Sequence, residues 1–211
     1  MEILNEICTL LQQGRAPKVK ELITQALDMG INAQEILEKA LLPGMSIIGE
    51  KFKNNEIFVP EVLIAARAMN AGTEILKPYL VNDGVKSKGV AVIGTVKGDL
   101  HDIGKNLVKL MLEGKGLEVI DLGVDVAPET FIEKATEHNA DIICCSALLT
   151  TTMAEMKNVV DKVKQSPIAG KVKVMIGGAP VSQSFCESIG ADYYTADAAS
   201  AADVAVNICE G

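Results

Sequence analysis

The chain has 211 residues, of which 48% are hydrophobic and 23% charged, enough for one large or two small domains that each bury a core. Aromatic residues make up only 3%, tryptophan is absent, and 28 acidic against 20 basic residues give a net charge of −8. This composition argues against nucleic acid as a partner, because phosphate backbones attract basic patches and unpaired bases stack on aromatic rings.

The cysteines and the apolar segments indicate the compartment. Five cysteines, at positions 8, 144, 145, 186 and 209, include no C-x-x-C pair, which is typical of reduced thiols in a cytosolic protein. The chain starts M-E-I-L-N-E without an apolar signal core, and no apolar run reaches the roughly 18 residues of a membrane span. We therefore expect a cytoplasmic protein that does not associate with a membrane.

Residues 1–80 predict a first domain made of helices alone. Apolar residues recur at helical spacing in four segments, and in the second of them Val19, Ile23 and Ala26 share one face. The third segment, from about residue 33, is predicted to bend or break near Pro43, and the fourth begins near Pro60 and reaches about residue 79. Four helices with short connections predict a small antiparallel four-helix bundle.

Residues 81–88 (V-N-D-G-V-K-S-K) predict a polar linker, and the pattern changes in residues 89–211. Short apolar runs there alternate with helical stretches. The predicted strands are 89–95, 117–122, 141–146, 172–176 and 192–195, and the predicted helices are 103–115, 128–138, 152–165, 181–189 and 198–209. This alternation predicts an α/β domain with a doubly wound, Rossmann-like parallel sheet. Such sheets bind ligands at the carboxyl ends of their strands.

The loop after the first predicted strand, G-D-L-H-D-I-G, contains residues that suit a ligand site. His101 can turn a ring nitrogen toward a ligand, while Asp99 can accept the other ring N–H and raise the basicity of the ring. Gly104, near a helix start, indicates the close approach of a bulky group. A single histidine in such a loop is also typical of a surface or capping residue, and Asp102 of a plain N-cap. A zinc site is disfavoured because His138, the other histidine, has no ligand spacing, and a dinucleotide-binding glycine fingerprint is absent.

Three segments in order carry a family resemblance. D-L-H-D-I-G resembles the D-x-H-x-x-G motif of B12-binding domains in methionine synthase, corrinoid methyltransferase subunits and carbon-skeleton mutases. The third predicted strand leads into S-A-L-L-T-T-T-M, similar to the family's S-x-L segment, and the fourth ends in Gly177 and Gly178, similar to its G-G. By themselves these glycines equally suit a turn before a helix cap at Ser182. A bundle followed by a linker and this domain resembles, over essentially the whole chain, the corrinoid proteins of methanogens and acetogens.

The resemblance implies a bound cobalamin whose dimethylbenzimidazole is displaced from cobalt and whose nucleotide tail is inserted into the sheet domain. It implies that His101 is the axial ligand of cobalt, that Asp99 is its hydrogen-bond partner, and that Thr152 supplies the hydroxyl of a proton relay. It further implies that Ser146, Leu148 and Thr150 line the tunnel for the nucleotide tail. Gly177 and Gly178 are implied to let the tail pass the fourth strand. In all, the other positions implied to bind the cofactor are Gly98, Asp102, Ile103, Gly104, Ser146, Leu148, Thr150, Gly177 and Gly178.

A function follows from the resemblance as well. The chain would carry a methyl group, as methyl-cobalt(III), from a substrate-specific methyltransferase to a second methyltransferase that acts on a pterin or thiol. A reductive activation protein would be a further partner, and the chain alone would not be a catalyst. The bundle would cover the corrin through Phe58 or Val62 and move aside for transfer. The sequence does not specify whether the methyl donor is a methylamine, methanol, a betaine or an aryl methyl ether.

Two other functions remain open at this point. The first is a cobalamin-binding sensor or regulator, although residues 1–80 leave no room for a DNA-binding module beside the bundle. The second is the small subunit of a cobalamin-dependent mutase, although such subunits generally lack a preceding bundle.

Overall fold

The computed structural model describes residues 2–82 and 87–211. The chain divides into two compact units, Met1–Lys86 and Ser87–Gly211. Part of the predicted linker, residues 83–86, lies outside the described residues. Within residues 2–82 and 87–211, no helix combines the length and the apolar character that crossing a membrane requires.

The first unit is helical, as the sequence predicts. Its core consists of aliphatic side chains that recur at helical spacing, among them the fully buried Ile7, Leu11, Val19 and Ile23. Its helices are α1 (Glu2–Gln12), α2 (Ala16–Asp28), α3 (Ala33–Ile36), α4 (Leu42–Lys53) and α5 (Val59–Asn82). Helix α5 extends three residues beyond the predicted end at residue 79, so the start of the predicted linker is helical.

The predicted bend near Pro43 takes the form of a π-helical turn. Residues Leu37–Leu41 join α3 to α4 without a break, and the Leu42 N–H donates to the Leu37 carbonyl five residues earlier. Pro43 has no N–H to donate to the carbonyl of residue 39, so the regular pattern is interrupted just before the proline. The third helical segment is therefore distorted and not broken.

The second unit is a five-stranded parallel sheet with helices between the strands. Strand order is β2-β1-β3-β4-β5, which confirms the predicted doubly wound fold. The strands are β1 (Val90–Thr95), β2 (Glu118–Asp121), β3 (Ile142–Ser146), β4 (Lys173–Gly177) and β5 (Tyr193–Tyr194). The helices are α6 (Ile103–Gly114), α7 (Pro128–Glu137), α8 (Met153–Lys164), α9 (Gln183–Ile189) and α10 (Ala198–Glu210).

The central strands are apolar because helices cover both faces of the sheet. Residues of β1 and β3 pair in register from Ala91 with Ile142 to Thr95 with Ser146, and nearly all are buried. The chain leaves β1 toward β2 on one side and later returns to β3 on the other. The loops after β1 and β3 therefore diverge at the carboxyl edge, where doubly wound sheets form their binding crevice.

Candidate functional site

The carboxylate of Asp99 joins the loops that follow β1 and β3. Its side chain is fully buried. Oδ1 accepts the backbone N–H of His101 at 3.1 Å and lies 2.8 Å from Nδ1 of the His101 ring. Oδ2 accepts the N–H groups of Leu148 at 2.8 Å and Leu149 at 3.1 Å, and the hydroxyl of Thr152 at 2.8 Å. One buried carboxylate thus holds two loops that are about fifty residues apart in sequence.

These hydrogen bonds keep Asp99 ionised. Burial of the carboxyl raises its pKa, but donation from His101, from the Leu149 and Leu148 amides and from Thr152 lowers the pKa by more. The pKa of Asp99 therefore lies well below its usual value of 3.8. An ionised carboxylate only accepts hydrogen bonds, so Nδ1 of His101 carries the proton that lies between the two side chains.

The ring of His101 is fixed on one side and open on the other. Its side chain is 51% exposed, and the contact of Nδ1 with Asp99 leaves Nε2 as the nitrogen with the free lone pair. The main chain is held too, because the buried hydroxyl of Thr95 donates to the His101 carbonyl at 2.8 Å. This is the arrangement by which proteins orient a histidine that binds a metal.

Large apolar side chains around His101 face outward. Leu100 is 71% exposed and Ile103 is 76% exposed. The loops after β2 and β3 add the partly exposed Val124, Leu148 and Leu149. Exposed apolar surface around a polar side chain is common at ligand-binding faces.

The glycines of the loop after β1 leave open space at this surface. A methyl group built on Gly104 meets no atom of the chain within 4 Å. Gly98 has φ +80°, a conformation that glycine adopts without strain, and a methyl group there meets only Thr152, at 3.6 Å. No atom of the described chain would obstruct a side chain at position 104, so the surface beside His101 has open space there.

Gly178 differs, because the chain itself excludes a side chain there. Its φ is +137°, and a methyl carbon would lie 1.9 Å from the carbonyl oxygen of Ala147. The same construction at Gly177 meets only the Thr195 carbonyl, at 3.4 Å. Ser182 accepts the N–H of Phe185 and caps α9. The alternative interpretation of Gly177 and Gly178, a turn before a helix cap at Ser182, is therefore confirmed as part of the structure.

The other predicted positions occupy the same edge with different surroundings. Ser146 ends β3 and is half-buried, whereas Thr150 is exposed in the following turn. Asp102 occupies the N-cap position of α6 without a capping hydrogen bond from its side chain. It accepts the Asn106 amide N–H at 3.1 Å instead. His138 follows α7, and no group of three potential metal ligands occurs within the described parts of the chain.

The sequence matches the B12 binding domain family over residues 89–206 and a second family of B12 binding domains over residues 3–77. This chain belongs to the B12-binding family. The loop that contains Asp99 and His101 lies within the matched region of the second unit. Cobalamin is accordingly the cofactor of this chain.

Curated relatives of this B12-binding protein include corrinoid proteins of methanogens. Trimethylamine corrinoid protein 1 of Methanosarcina mazei is 46% identical over 176 residues, which cover 82% of each chain. Monomethylamine corrinoid protein 2 of Methanosarcina acetivorans is 44% identical and spans 98% of this chain and 97% of its own. The predicted membership of the corrinoid-protein family is therefore confirmed.

Solved structures agree with this assignment. The methanol:cobalamin methyltransferase complex MtaBC from Methanosarcina barkeri matches with a TM-score of 0.90 and 32% identity, covering 100% of this chain and 80% of that chain. A cobalamin-binding protein from Desulfitobacterium hafniense matches with a TM-score of 0.80 and 31% identity, covering 97% of this chain and 98% of that one.

The residues of this B12-binding protein fit a corrinoid. A half-exposed imidazole with one tethered nitrogen leaves the other nitrogen free, and a neutral imidazole is a suitable ligand for cobalt. The exposed Leu100 and Ile103 beside it provide an apolar surface for a macrocycle. The open position at Gly104 lets such a ring approach the start of α6. These features lie within three residues of His101.

Sequence reasoning missed two residues at this site. Thr95 ends β1 as a fully buried polar residue, and its hydroxyl holds His101. Asp125 lies in the loop after β2 and accepts the Gly98 N–H at 2.7 Å. Thr95 ends a parallel strand, and a search for every polar residue at a strand end would have found it. Asp125 lies four residues after the end of β2, and its contact with Gly98 has no local pattern in the sequence.

Proposed function

We propose that this protein binds cobalamin with His101 as the lower axial ligand and carries a methyl group between two methyltransferases. The observation that carries the proposal is the buried carboxylate of Asp99, which lies 2.8 Å from Nδ1 of a half-exposed histidine. Bound cobalamin supplies a cobalt nucleophile that accepts the methyl group and later gives it up.

His101 would ligate cobalt through Nε2, since Nδ1 is engaged by Asp99. Asp99 would fix the ring tautomer and raise the basicity of the ligating nitrogen, as carboxylates do for metal-bound histidines. The exposed Leu100 and Ile103, with Gly98, Asp102 and Gly104, would form the face against the corrin. Ser146, Leu148, Thr150, Gly177 and Gly178 would line the path of the nucleotide tail.

Thr152 would complete a relay with Asp99 and His101. Thr152 is buried, and its hydroxyl lies 2.8 Å from the Asp99 carboxylate and 2.9 Å from the Leu149 carbonyl. A hydroxyl has a single proton, so it can donate to either oxygen and turn from one to the other. This supports a role in adjusting the charge on Asp99 when His101 binds or leaves cobalt.

The methyl donor would belong to the small molecules named for the relatives. These are trimethylamine, monomethylamine and methanol. A substrate-specific methyltransferase would deliver the methyl group, as the complex MtaBC suggests for methanol. A second methyltransferase that acts on a pterin or thiol would remove it, and a reductive activation protein would restore the reduced cofactor.

The helical unit would serve as a movable cover for the corrin. Phe58, directly before α5, is 67% exposed, and its apolar ring is available for such a contact. Val62, the other predicted candidate, is fully buried, so its predicted role as a cap is wrong. Because Val62 lies on the inner face of its helix, it stabilises the helical unit.

Electron paramagnetic resonance of the cobalt(II) form tests the axial ligand. The chain contains only two histidines, His101 and His138. Protein labelled with 15N-histidine should convert the triplet nitrogen splitting of unlabelled protein into a doublet. His138→Asn should preserve this change, and His101→Ala should abolish the protein-derived splitting while still binding the corrinoid. A triplet that labelling leaves unaltered would identify the dimethylbenzimidazole as the ligand and overturn the proposal.

The carrier role needs a separate assay. Purified substrate-specific methyltransferases for trimethylamine, monomethylamine and methanol would each be mixed with the reduced holoprotein. Methylation of the corrinoid, followed by ultraviolet–visible absorption, should be fast with one of them. His101→Ala should slow transfer more than it weakens corrinoid binding. Equal rates for the wild type and this variant would contradict a role for His101 in transfer.

A further inference from the structure

Asp125 occupies a strained position in the loop after β2. Its φ is +54°, in the left-handed region where Asp and Asn are the most tolerated residues after glycine. The loop runs beside the end of β1, since the Thr95 N–H donates to the Gly123 carbonyl and the Val126 N–H to the Thr95 carbonyl, each at 3.0 Å. The position of Asp125 is thus set by the strand that leads into the histidine loop.

From this position, Asp125 binds both ends of the Gly98–Asp99 dipeptide. The carboxylate oxygen Oδ1 accepts the Gly98 N–H at 2.7 Å. The backbone N–H of Asp125 donates to the Asp99 carbonyl at 3.0 Å. Gly98 has φ +80°, one of several backbone conformations that are open to a glycine. The two hydrogen bonds select this conformation.

Asp99 is therefore positioned from two directions. The loop after β3 binds its carboxylate through Leu148, Leu149 and Thr152. The loop after β2 binds its main chain through Asp125. Asp99 and His101 are separated by a single residue, so the main-chain conformation of Asp99 determines whether its side chain can reach the His101 ring.

We propose that Asp125 is a positioning residue for the cobalt ligand, acting through the main chain of Gly98 and Asp99 to hold Asp99 against His101. This inference deepens the proposed function and rests on it where cobalt ligation is concerned. Asp125 is exposed, so the rival role is a direct contact of its negative charge with the corrinoid. The two roles differ in what they need: the first needs an acceptor oxygen, and the second needs the charge.

Two substitutions separate these needs. Asp125→Asn keeps an acceptor oxygen at the same place, tolerates the left-handed backbone and removes the charge. Asp125→Gly also tolerates this backbone but removes the acceptor. Asn139→Gly is the matched control, because Asn139 has φ +50° and lies at the other end of the unit, between α7 and β3. Circular dichroism would verify that all three variants fold.

The first measurement uses the protein without cofactor. Long-range 1H–15N correlation spectra of 15N-histidine protein at alkaline pH report which nitrogen of each neutral ring carries the proton, and His138 provides an internal reference. The wild type, Asp125→Asn and Asn139→Gly should show the Nδ1–H form at His101. Asp125→Gly should lower the ratio of the Nδ1–H to the Nε2–H form about tenfold, the scale of one hydrogen bond to a charged group.

The second measurement uses the cobalt(II) holoprotein. The equilibrium constant for ligation by histidine, obtained from the fraction of the resonance signal with histidine coupling, should fall about tenfold in Asp125→Gly and stay unchanged in Asp125→Asn. Corrinoid affinity should change much less, because Asp125 acts through the loop.

Each alternative result has a defined meaning. A wild-type tautomer ratio and ligation constant in Asp125→Gly would overturn the inference. Equal losses in Asp125→Asn and Asp125→Gly would show that charge is what matters and would overturn it as well, as would an equal loss in Asn139→Gly. If wild-type holoprotein lacked histidine coupling, the proposed function would fail, and the tautomer ratios of the cofactor-free protein would still decide whether Asp125 positions Asp99 and His101.

Discussion

The loops after β1 and β4 both contain glycines of the B12-binding motifs, but for different physical reasons. At Gly104 a methyl group would meet open space, whereas at Gly178 it would lie 1.9 Å from the Ala147 carbonyl oxygen. The first position leaves open space beside His101, and the second lets the chain pack against itself. A glycine within a binding motif is therefore not by itself a ligand contact, and the two cases predict opposite effects on the stability of the cofactor-free protein.

The largest effect is expected for Gly178→Ala. The added methyl group collides with backbone, which moves less easily than a side chain, and φ +137° is unfavourable for alanine. We expect the free energy of unfolding of the cofactor-free protein to fall by about 3–5 kcal/mol, as measured by urea denaturation.

Gly177→Ala is the matched control for this prediction. Its methyl group would meet only an ordinary contact at 3.4 Å, so the loss should stay below about 1 kcal/mol. A different result is expected if the methyl group at position 178 blocks only the path of the nucleotide tail. Gly178→Ala would then be as stable as Gly177→Ala, and only its affinity for the corrinoid would fall.

Asp99→Asn should have the second largest effect. An amide offers one acceptor oxygen where the carboxylate offers two, so some of the donors from His101, Leu148, Leu149 and Thr152 lose their partner. We expect a loss of about 2–3 kcal/mol in the free energy of unfolding at neutral pH. The cobalt(II) holoprotein should also lose most of its histidine coupling.

The same substitution has a defined pH dependence. The pKa of Asp99 is lower in the folded chain than its usual value of 3.8, so its ionised form stabilises the fold above pH 3.8. This stabilisation is lost as the pH falls toward the folded pKa. The difference in unfolding free energy between the wild type and Asp99→Asn should therefore be constant near neutrality and shrink below about pH 4. A difference that grows as the pH falls would contradict an ionised Asp99.

The sequence predicted the architecture well because its signals are local. Buried parallel strands such as β1 and β3 give continuous apolar runs, and amphipathic helices follow each of them, so most predicted bounds agree with the structure within two residues. The hydrogen bond between Asp99 and His101 was predictable for the same reason, because the two residues are neighbours in one loop.

Other features depend on parts of the chain that meet only after folding. Asp125 binds Gly98 across 27 positions of sequence, and Gly178 is fixed by Ala147 of the neighbouring strand's loop. Neither contact has a local pattern. The burial of Val62 was also missed, because the apolar surface of α5 is wide and sequence alone did not separate its inner from its outer residues.

Thr95→Val tests the hydrogen bond that holds the main chain of the histidine loop. Valine keeps the shape of the buried side chain but removes the hydroxyl that donates to the His101 carbonyl at 2.8 Å. We expect a loss of about 1 kcal/mol in the free energy of unfolding and a weaker preference for the Nδ1–H form of His101. Thr73→Val is the control, because that hydroxyl binds a carbonyl within its own helix, α5. Identical histidine spectra in both variants would deny Thr95 a part in holding His101.

A small, stabilising effect is expected for Gly104→Ala. The position lies in the first turn of α6, its methyl group meets nothing within 4 Å, and alanine is the better helix former. The free energy of unfolding of the cofactor-free protein should therefore rise by about 0.5–1 kcal/mol. Corrinoid affinity should fall, because the methyl group occupies the space that a ring beside His101 would use.

Asn158→Ala isolates the stabilising part of this prediction. Asn158 is exposed within α8, away from the loop after β1, and its replacement should raise stability by about 0.5 kcal/mol through helix propensity alone. Corrinoid affinity should remain that of the wild type in this variant and decrease in Gly104→Ala, as measured by fluorescence quenching or calorimetry. If Gly104→Ala gained stability and bound the corrinoid as tightly as the wild type, the open space at Gly104 would not be occupied by the cofactor. The contrast with Gly178 would then have to be explained by the chain alone.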